Sequence, residues 1–146
     1  MPMSASVKPS GDDNFQFLVV DDEPDVRQSL KLLLEHYGHE VSLVESGELA
    51  LAHLADRKFD LVITDYFMPG MRGDELITRI LQRSPKQPIV LVSGSLPESV
   101  LGQLSNHIGG FLQKPFSLEA LRNAVDRAVR RGQEFGGESN LLRLTP

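Results

Sequence analysis

Three adjacent acidic residues stand near the start of the chain. Asp21, Asp22 and Glu23 directly follow the apolar run FLVV at 17–20. Like charges at this spacing repel one another, and each carboxylate resists losing its water. A bound cation and a nearby ammonium would make the arrangement tolerable.

Three further polar residues follow apolar runs in the same way. Asp65 follows LVIT at 61–64, Ser93 follows IVLV at 89–92, and Lys114 follows GGFLQ at 109–113. If the runs are parallel strands, their carboxyl ends lie at one edge of the sheet, and the fold gathers these residues there. Ligands bind outside this edge in such sheets. The carboxylates would then share a divalent cation beside the lysine.

Such a set of residues suits phosphoryl chemistry. An all-oxygen ligand set favours Mg²⁺ over zinc or copper, and a carboxylate beside that metal can act as a nucleophile toward a phosphoryl group. The Lys114 ammonium and the Ser93 hydroxyl would help to neutralise charge on the transferred group.

The rest of the sequence supplies the elements that must position these side chains. Apolar runs alternate with stretches of helical periodicity, and runs that are continuously apolar indicate strands buried on both faces. The pattern predicts an α/β fold, with a doubly wound, five-stranded parallel sheet flanked by five helices. The predicted strands are 17–20, 41–44, 61–64, 89–92 and 109–113, and the helices are 24–37, 47–54, one around 76–81, 97–104 and 118–129.

Composition sets further limits on the function. The chain has 146 residues, a formal net charge of -5 and no cysteine. The charge argues against direct nucleic-acid binding, and the missing cysteines exclude thiolate metal sites and fit a cytoplasmic location. No apolar run is long enough to span a membrane. We expect a polar leader at 1–13, an ordered domain at 14–131 and a loop-like tail at 132–146.

Taken together, the ordered motifs resemble the receiver domain of two-component response regulators. The matching pieces are Asp21-Asp22, Asp65 with the following YFMPGMRG, Ser93-Gly94 and Lys114-Pro115. The resemblance covers about 15–131 and implies a (βα)5 flavodoxin-like fold with strand order 2-1-3-4-5. It also implies a cis peptide bond between Lys114 and Pro115.

The resemblance implies a role for each site residue. Asp65 would be the phosphoacceptor, and Asp21, Asp22, Asp65 and the backbone carbonyl of Phe67 would bind Mg²⁺, with Mn²⁺ as the alternative ion. Lys114 would pair with the phosphoryl group. The phosphoryl donor would be the phosphohistidine of a sensor histidine kinase or phosphotransfer protein.

Conformational signalling is implied in the same way. Ser93 would hydrogen-bond the phosphoryl group, and the Phe111 ring would turn inward into the space that this movement opens. The surface formed by the fourth helix, fifth strand and fifth helix would change its conformation. That surface would then bind a downstream protein or form a homodimer. Phe67 and Ser95 flank the path of the attacking water and would tune the phosphoryl lifetime.

Two other classes of protein stay open at this point. A pseudo-receiver would bind partners without phosphorylation, although such proteins usually lack an acid or the lysine, and all are present here. A hydrolase of the haloacid dehalogenase type needs Asp-x-Asp after the first strand, where this chain has Asp21-Asp22-Glu23. As a receiver, the chain would be a signalling switch with autocatalytic chemistry, either a single-domain regulator or a fragment of a longer regulator or hybrid kinase.

Overall fold

The computed structural model describes residues 15–136, and these form five strands and five helices in strict alternation. In chain order the elements are β1 Gln16–Val20, α1 Pro24–His36, β2 Glu40–Val44, α2 Gly47–Asp56, β3 Leu61–Asp65, α3 Gly73–Arg83, β4 Ile89–Ser93, α4 Glu98–Leu104, β5 Gly110–Gln113 and α5 Leu118–Gly136.

The five strands form one parallel sheet in the order β2-β1-β3-β4-β5. This confirms the predicted fold class and strand order. Neighbouring strands such as β3 and β4 are joined through a helix, as parallel pairing requires, because a parallel connection must return to the starting edge of the sheet.

Each face of the sheet packs against its own set of helices. Phe17 and Val19 of β1 point toward α1 and α5, whereas Leu18 and Val20 point toward α2, α3 and α4. Because successive side chains of a strand alternate between faces, a strand covered on both sides must be apolar throughout. This explains the unbroken apolar runs in the sequence.

The ends of several elements differ from the predicted ones. β3 and β4 each include one residue more than predicted, so Asp65 and Ser93 are the last residues of their strands. Asp65 pairs in register with Val92 across the sheet. The polar residues are therefore held by strand pairing rather than by a loop.

Helix α5 corrects the expectation that the chain becomes loop-like at Gly132, because the helix continues to Gly136. Gly132 serves close packing, since a Cβ atom there would lie 2.4 Å from Cγ of Pro88. The predicted leader at 1–13 and the end of the predicted tail at 137–146 lie outside the described residues. Within the described part of the chain, no helix has the length and apolarity needed to cross a membrane.

Candidate functional site

The structure brings the three predicted aspartates together at the carboxyl edge of the sheet. Carboxylate oxygens of Asp21, Asp22 and Asp65 all lie within 4.8 Å of one another. Asp21 and Asp65 are buried, with 1% and 6% of their surface exposed, and Asp22 lies closer to solvent. Buried carboxylates at this spacing need a compensating positive charge.

Lys114 supplies that charge in the structure. Its Nζ lies 3.3 Å from Asp21 Oδ2 and 3.5 Å from Asp65 Oδ2. A third carboxylate also contacts the ammonium, since Glu23 Oε1 is 3.5 Å from Nζ. The peptide bond between Lys114 and Pro115 is cis, as the resemblance implied.

Hydrogen bonds from neighbouring residues fix both the carboxylate and the backbone carbonyl of Asp21. The backbone N–H of Glu23 donates to Asp21 Oδ1 at 2.9 Å. The Arg27 guanidinium reaches back one turn from α1 and donates to the Asp21 backbone carbonyl at 2.7 Å. The orientation of this carboxylate is therefore set before any ligand arrives.

Asp65 is held in a similar way. Its Oδ1 accepts the Tyr66 backbone N–H at 2.9 Å, and its backbone carbonyl accepts the Thr64 hydroxyl at 2.9 Å. The other carboxylate oxygen, Oδ2, faces Lys114. One oxygen is thus fixed by the backbone, and the other is paired with the Lys114 ammonium.

Burial and crowding change the proton affinity of these groups. Burial, together with the nearby Asp21 charge, raises the pKa of Asp65 from 3.8 to about 6. Burial also raises the pKa of Asp21. Burial alone would lower the pKa of Lys114, but the charges of Asp21 and Asp65 outweigh it and raise that pKa. At neutral pH the Asp65 carboxylate is therefore ionised and faces a charged ammonium.

The loop after Asp65 passes close to the site because two glycines allow it. Gly70 has a φ of 82°, which favours glycine. Gly73 has no positive φ. It is needed for close approach instead, since a Cβ atom there would lie 2.6 Å from the Asp65 carbonyl oxygen.

Phe67 lies in this loop and lines a shallow pocket together with Asp22, Glu23, Asp65 and Lys114. Its side chain is half-exposed, at 50%, and its ring packs edge-on against Tyr66 with the centroids 4.7 Å apart. A large apolar side chain therefore stands at the entrance to the carboxylates.

Among the described residues, no hydrogen bond joins the Ser93 side chain to Asp65 or Lys114. The buried Ser93 hydroxyl donates to the Ser95 carbonyl at 3.1 Å and accepts the Ser95 N–H at 3.3 Å. Phe111 is partly buried and packs against the core on the α4 side of the sheet. Ser93 ends β4, the strand next to Asp65, and Phe111 lies one strand further out, on β5, where it pairs with Leu91 of β4.

Sequence reasoning missed the side chains of Glu23 and Arg27. An acid beside a helix start is favoured by the helix dipole without any further contact, yet the Glu23 carboxylate contacts Lys114. A signal was available, because Glu is an uncommon residue immediately before a helix, where Ser, Thr, Asp and Asn are preferred. The contact of Arg27 with a backbone carbonyl leaves no comparable trace in the sequence.

The donor set fits a hard divalent cation. It consists of carboxylates at the ends of two neighbouring strands, two directly after β1 and one at the last residue of β3, whose oxygens converge to within 4.8 Å. Oxygen ligands of this kind suit Mg²⁺ and Mn²⁺ better than soft-ligand metals.

Comparison with known proteins identifies the family to which this arrangement corresponds. The profile of the response regulator receiver domain matches residues 17–126. The response regulator protein FleR of Pseudomonas aeruginosa is 38% identical over 125 residues, which cover 84% of this chain and 26% of FleR. The uncharacterized transcriptional regulatory protein YkoG of Bacillus subtilis is 30% identical over 116 residues, covering 78% of this chain and 50% of YkoG. The chain spans half or less of the length of these relatives.

Solved structures show the same fold. The chemotaxis response regulator CheY4 of Vibrio cholerae matches with a TM-score of 0.73 and 28% identity, over 80% of this chain and 99% of that one. The response regulator protein TrrA of Thermotoga maritima, solved in complex with Mg(2+)-BeF, matches with a TM-score of 0.72 and 32% identity, over 78% of this chain and 98% of TrrA.

Proposed function

The chain belongs to the response regulator receiver domain family, and from this premise we propose that Asp65 accepts a phosphoryl group in a Mg²⁺-dependent reaction. The donor is the phosphohistidine of a sensor histidine kinase or of a phosphotransfer protein. The protein acts as a phosphorylation-dependent switch in two-component signalling.

The transfer breaks the P–N bond of the phosphohistidine and forms a P–O bond to the Asp65 carboxylate. Asp65 Oδ2 is the better placed oxygen, because Oδ1 accepts the Tyr66 N–H and Oδ2 faces the pocket side at Lys114. A pKa of about 6 leaves Asp65 ionised, and so nucleophilic, at neutral pH. Lys114 neutralises charge on the transferred group. Hydrolysis of the aspartyl phosphate, which resets the switch, occurs at the same carboxylate.

Asp21, Asp22, Asp65 and the backbone carbonyl of Phe67 would hold the cation, which is Mg²⁺ or alternatively Mn²⁺. The convergence of the three carboxylates supports this assignment. When bound, the ion supplies positive charge for the phosphoryl oxygens. Lys114 cannot neutralise three carboxylates alone, and this favours a second cation in the site.

Ser93 and Phe111 form the switch in this proposal. The Ser93 hydroxyl exchanges its bonds to Ser95 for one to the phosphoryl group, and the Phe111 ring turns into the space that opens. Both Ser93 bonds are local and at 3.1–3.3 Å, so exchanging them costs little. The new charge thereby shifts the equilibrium between two conformations of the surface formed by α4, β5 and α5.

Phe67 and Ser95 tune the phosphoryl lifetime. The half-exposed Phe67 ring shields the pocket, while Ser95 is small and obstructs little. The output is carried by a downstream protein or by a homodimer through the surface of α4, β5 and α5, without direct nucleic-acid binding by the receiver itself. A cytoplasmic location fits a chain without cysteine.

The observation that carries the proposal is the buried Asp65 carboxylate, 3.5 Å from Lys114 and within 4.8 Å of two further carboxylates. Intact mass is measured after incubation with a small-molecule phosphodonor, with and without Mg²⁺. We expect one phosphoryl adduct that requires Mg²⁺ and is absent in Asp65→Asn. Asp60→Asn is the matched control, because this exposed aspartate precedes the opposite end of β3.

A missing adduct together with missing Mg²⁺ binding would contradict the proposal and favour a phosphorylation-independent module. If Mg²⁺ binds without an adduct, a phosphorylated histidine kinase is the next donor, and failure with that donor also contradicts the proposal.

A further inference from the structure

Glu23 contacts the site in a way that helix formation does not explain. It is the N-cap residue of α1, but its side chain makes no capping hydrogen bond. Its carboxylate contacts Lys114 Nζ at 3.5 Å instead. A Ser, Thr, Asp or Asn at this position would cap the helix, so the chain forgoes that stabilisation to place a carboxylate on the lysine.

The backbone of Glu23 is fixed, so its side chain has a defined starting point. Its N–H donates to Asp21 Oδ1 at 2.9 Å, and its carbonyl accepts the Arg27 N–H at 3.1 Å. A glutamate is long enough to reach the ammonium from there. An aspartate would be shorter by one methylene, and its carboxylate oxygens would be placed to accept hydrogen bonds from the backbone N–H groups in the first turn of α1.

The three partners of Lys114 differ in depth. The Asp21 and Asp65 side chains are 2% and 7% exposed, whereas the Glu23 side chain is 61% exposed. The two buried carboxylates attract the ammonium inward, and Glu23 attracts it toward the pocket entrance. The phosphoryl group of a donor must arrive from that entrance, which Glu23 and Phe67 line.

We propose that Glu23 is a positioning residue that keeps the Lys114 ammonium at the entrance of the site. This inference rests on the proposed phosphoryl transfer to Asp65. Without Glu23 the ammonium pairs more closely with Asp21 and Asp65, and it must leave Asp65 before it can meet the incoming group. Phosphorylation then becomes slower although the metal-binding carboxylates are intact.

Three variants separate this role from helix stability and from charge. Glu23→Gln keeps the length and removes the charge. Glu23→Asp keeps the charge, shortens the reach and provides a better helix cap. Asp25→Asn removes one exposed acid from the same turn of α1, and no ion pair of Asp25 occurs within the described part of the chain.

The first measurement is the ¹⁵N ammonium resonance of Lys114 in the metal-free protein, at one fixed pH. The second is the rate of phosphorylation by a small-molecule donor at saturating Mg²⁺, alongside the thermal midpoint. We expect both Glu23 variants to shift the resonance and to slow phosphorylation about two- to fivefold, in line with the loss of one partly exposed ion pair. Glu23→Asp should do so while its thermal midpoint is unchanged or raised.

Asp25→Asn should leave both the resonance and the rate near those of the unmodified protein. An unshifted resonance in both Glu23 variants would overturn the proposal, as would a shifted resonance with rates equal to that of Asp25→Asn. If the unmodified protein forms no adduct with any donor, the proposed function fails instead. The resonance measurement then still decides separately whether Glu23 holds the lysine.

Discussion

At the scale of single residues, the site concentrates negative charge that the metal-free fold accommodates at a cost in stability. Asp65 is buried next to Asp21, and both effects raise its pKa from 3.8 to about 6. The folded protein therefore binds the Asp65 proton more tightly than the unfolded chain does. Ionising Asp65 consequently destabilises the fold, and this destabilisation is the expected signature of a site built to bind a cation or a phosphoryl group.

We predict that Asp65→Asn is more stable than the unmodified protein at pH 7 in the presence of a chelator. A pKa raised by about two units corresponds to roughly 1–3 kcal/mol of unfolding free energy. Because the native state binds more protons between pH 3.8 and about 6, the stability of the unmodified protein falls as pH rises through that window. Denaturant unfolding at several pH values measures the difference.

The stability difference between the two proteins at low pH is the control. Near pH 4 Asp65 is largely protonated in the folded protein, so the two proteins should there approach equal stability. A difference that stays constant between pH 4 and pH 7 would show that it comes from packing rather than from charge.

At the scale of elements, the strands were predictable because buried parallel strands must be apolar on both faces, whereas their order in the sheet was implied only by the resemblance to receiver domains. The continuously apolar run FLVV, followed by a helical stretch, indicated a buried strand, and the polar residue after such runs marked the carboxyl edge of the sheet. The convergence of Asp21, Asp22, Asp65 and Lys114 followed from that topology.

The remaining details depend on side-chain rotamers and helix ends, which periodicity does not encode. The Ser93 hydroxyl bonds to Ser95 rather than to Asp65, because that backbone is the nearest partner for a buried hydroxyl. Glycine is a loop signal in sequence, yet Gly132 lies inside α5, where Pro88 leaves no room for a Cβ atom. Only the packed structure distinguishes a flexible glycine from one that is required for contact.

Helix α4 is the weakest element of the surface that we propose as the output. It has only 7 residues, lacks a side-chain N-cap and contains the exposed Gly102. A Cβ atom at Gly102 would meet no atom within 4 Å. We predict that Gly102→Ala stabilises the protein by about 0.5–1 kcal/mol, because alanine has the higher helix propensity and nothing obstructs its methyl group. The shift of the denaturant midpoint measures the effect.

Gly73→Ala is the matched control, since the same added methyl group would lie 2.6 Å from the Asp65 carbonyl oxygen. It should destabilise by roughly 1–3 kcal/mol through overpacking. If both substitutions changed stability in the same direction, helix propensity and available space could not be the determining factors.

At the scale of the whole molecule, the proposed metal site connects strands that lie at the centre of the sheet. Asp21 and Asp22 directly follow β1, Asp65 ends β3, and β5 leads into Lys114 at the sheet edge. A ligand that binds these strands only when they are folded must stabilise the domain, by linkage. The same charge that weakens the metal-free protein thereby makes its stability dependent on cation concentration.

We predict that Mg²⁺ raises the thermal midpoint of the unmodified protein and that a chelator reverses the rise. At a free concentration of 100 times the dissociation constant, linkage gives about 2.7 kcal/mol, or roughly 5–15 °C for a domain of this size. Asp65→Asn lacks one of the three carboxylates and should respond much less. The two proteins should therefore exchange order, with Asp65→Asn more stable under chelation and the unmodified protein more stable at saturating Mg²⁺.

Asp60→Asn should keep the full response, because Asp60 precedes the opposite end of β3. If the stability of Asp65→Asn and of the unmodified protein changed in parallel at all Mg²⁺ concentrations, Asp65 would neither bind the ion nor destabilise the metal-free protein.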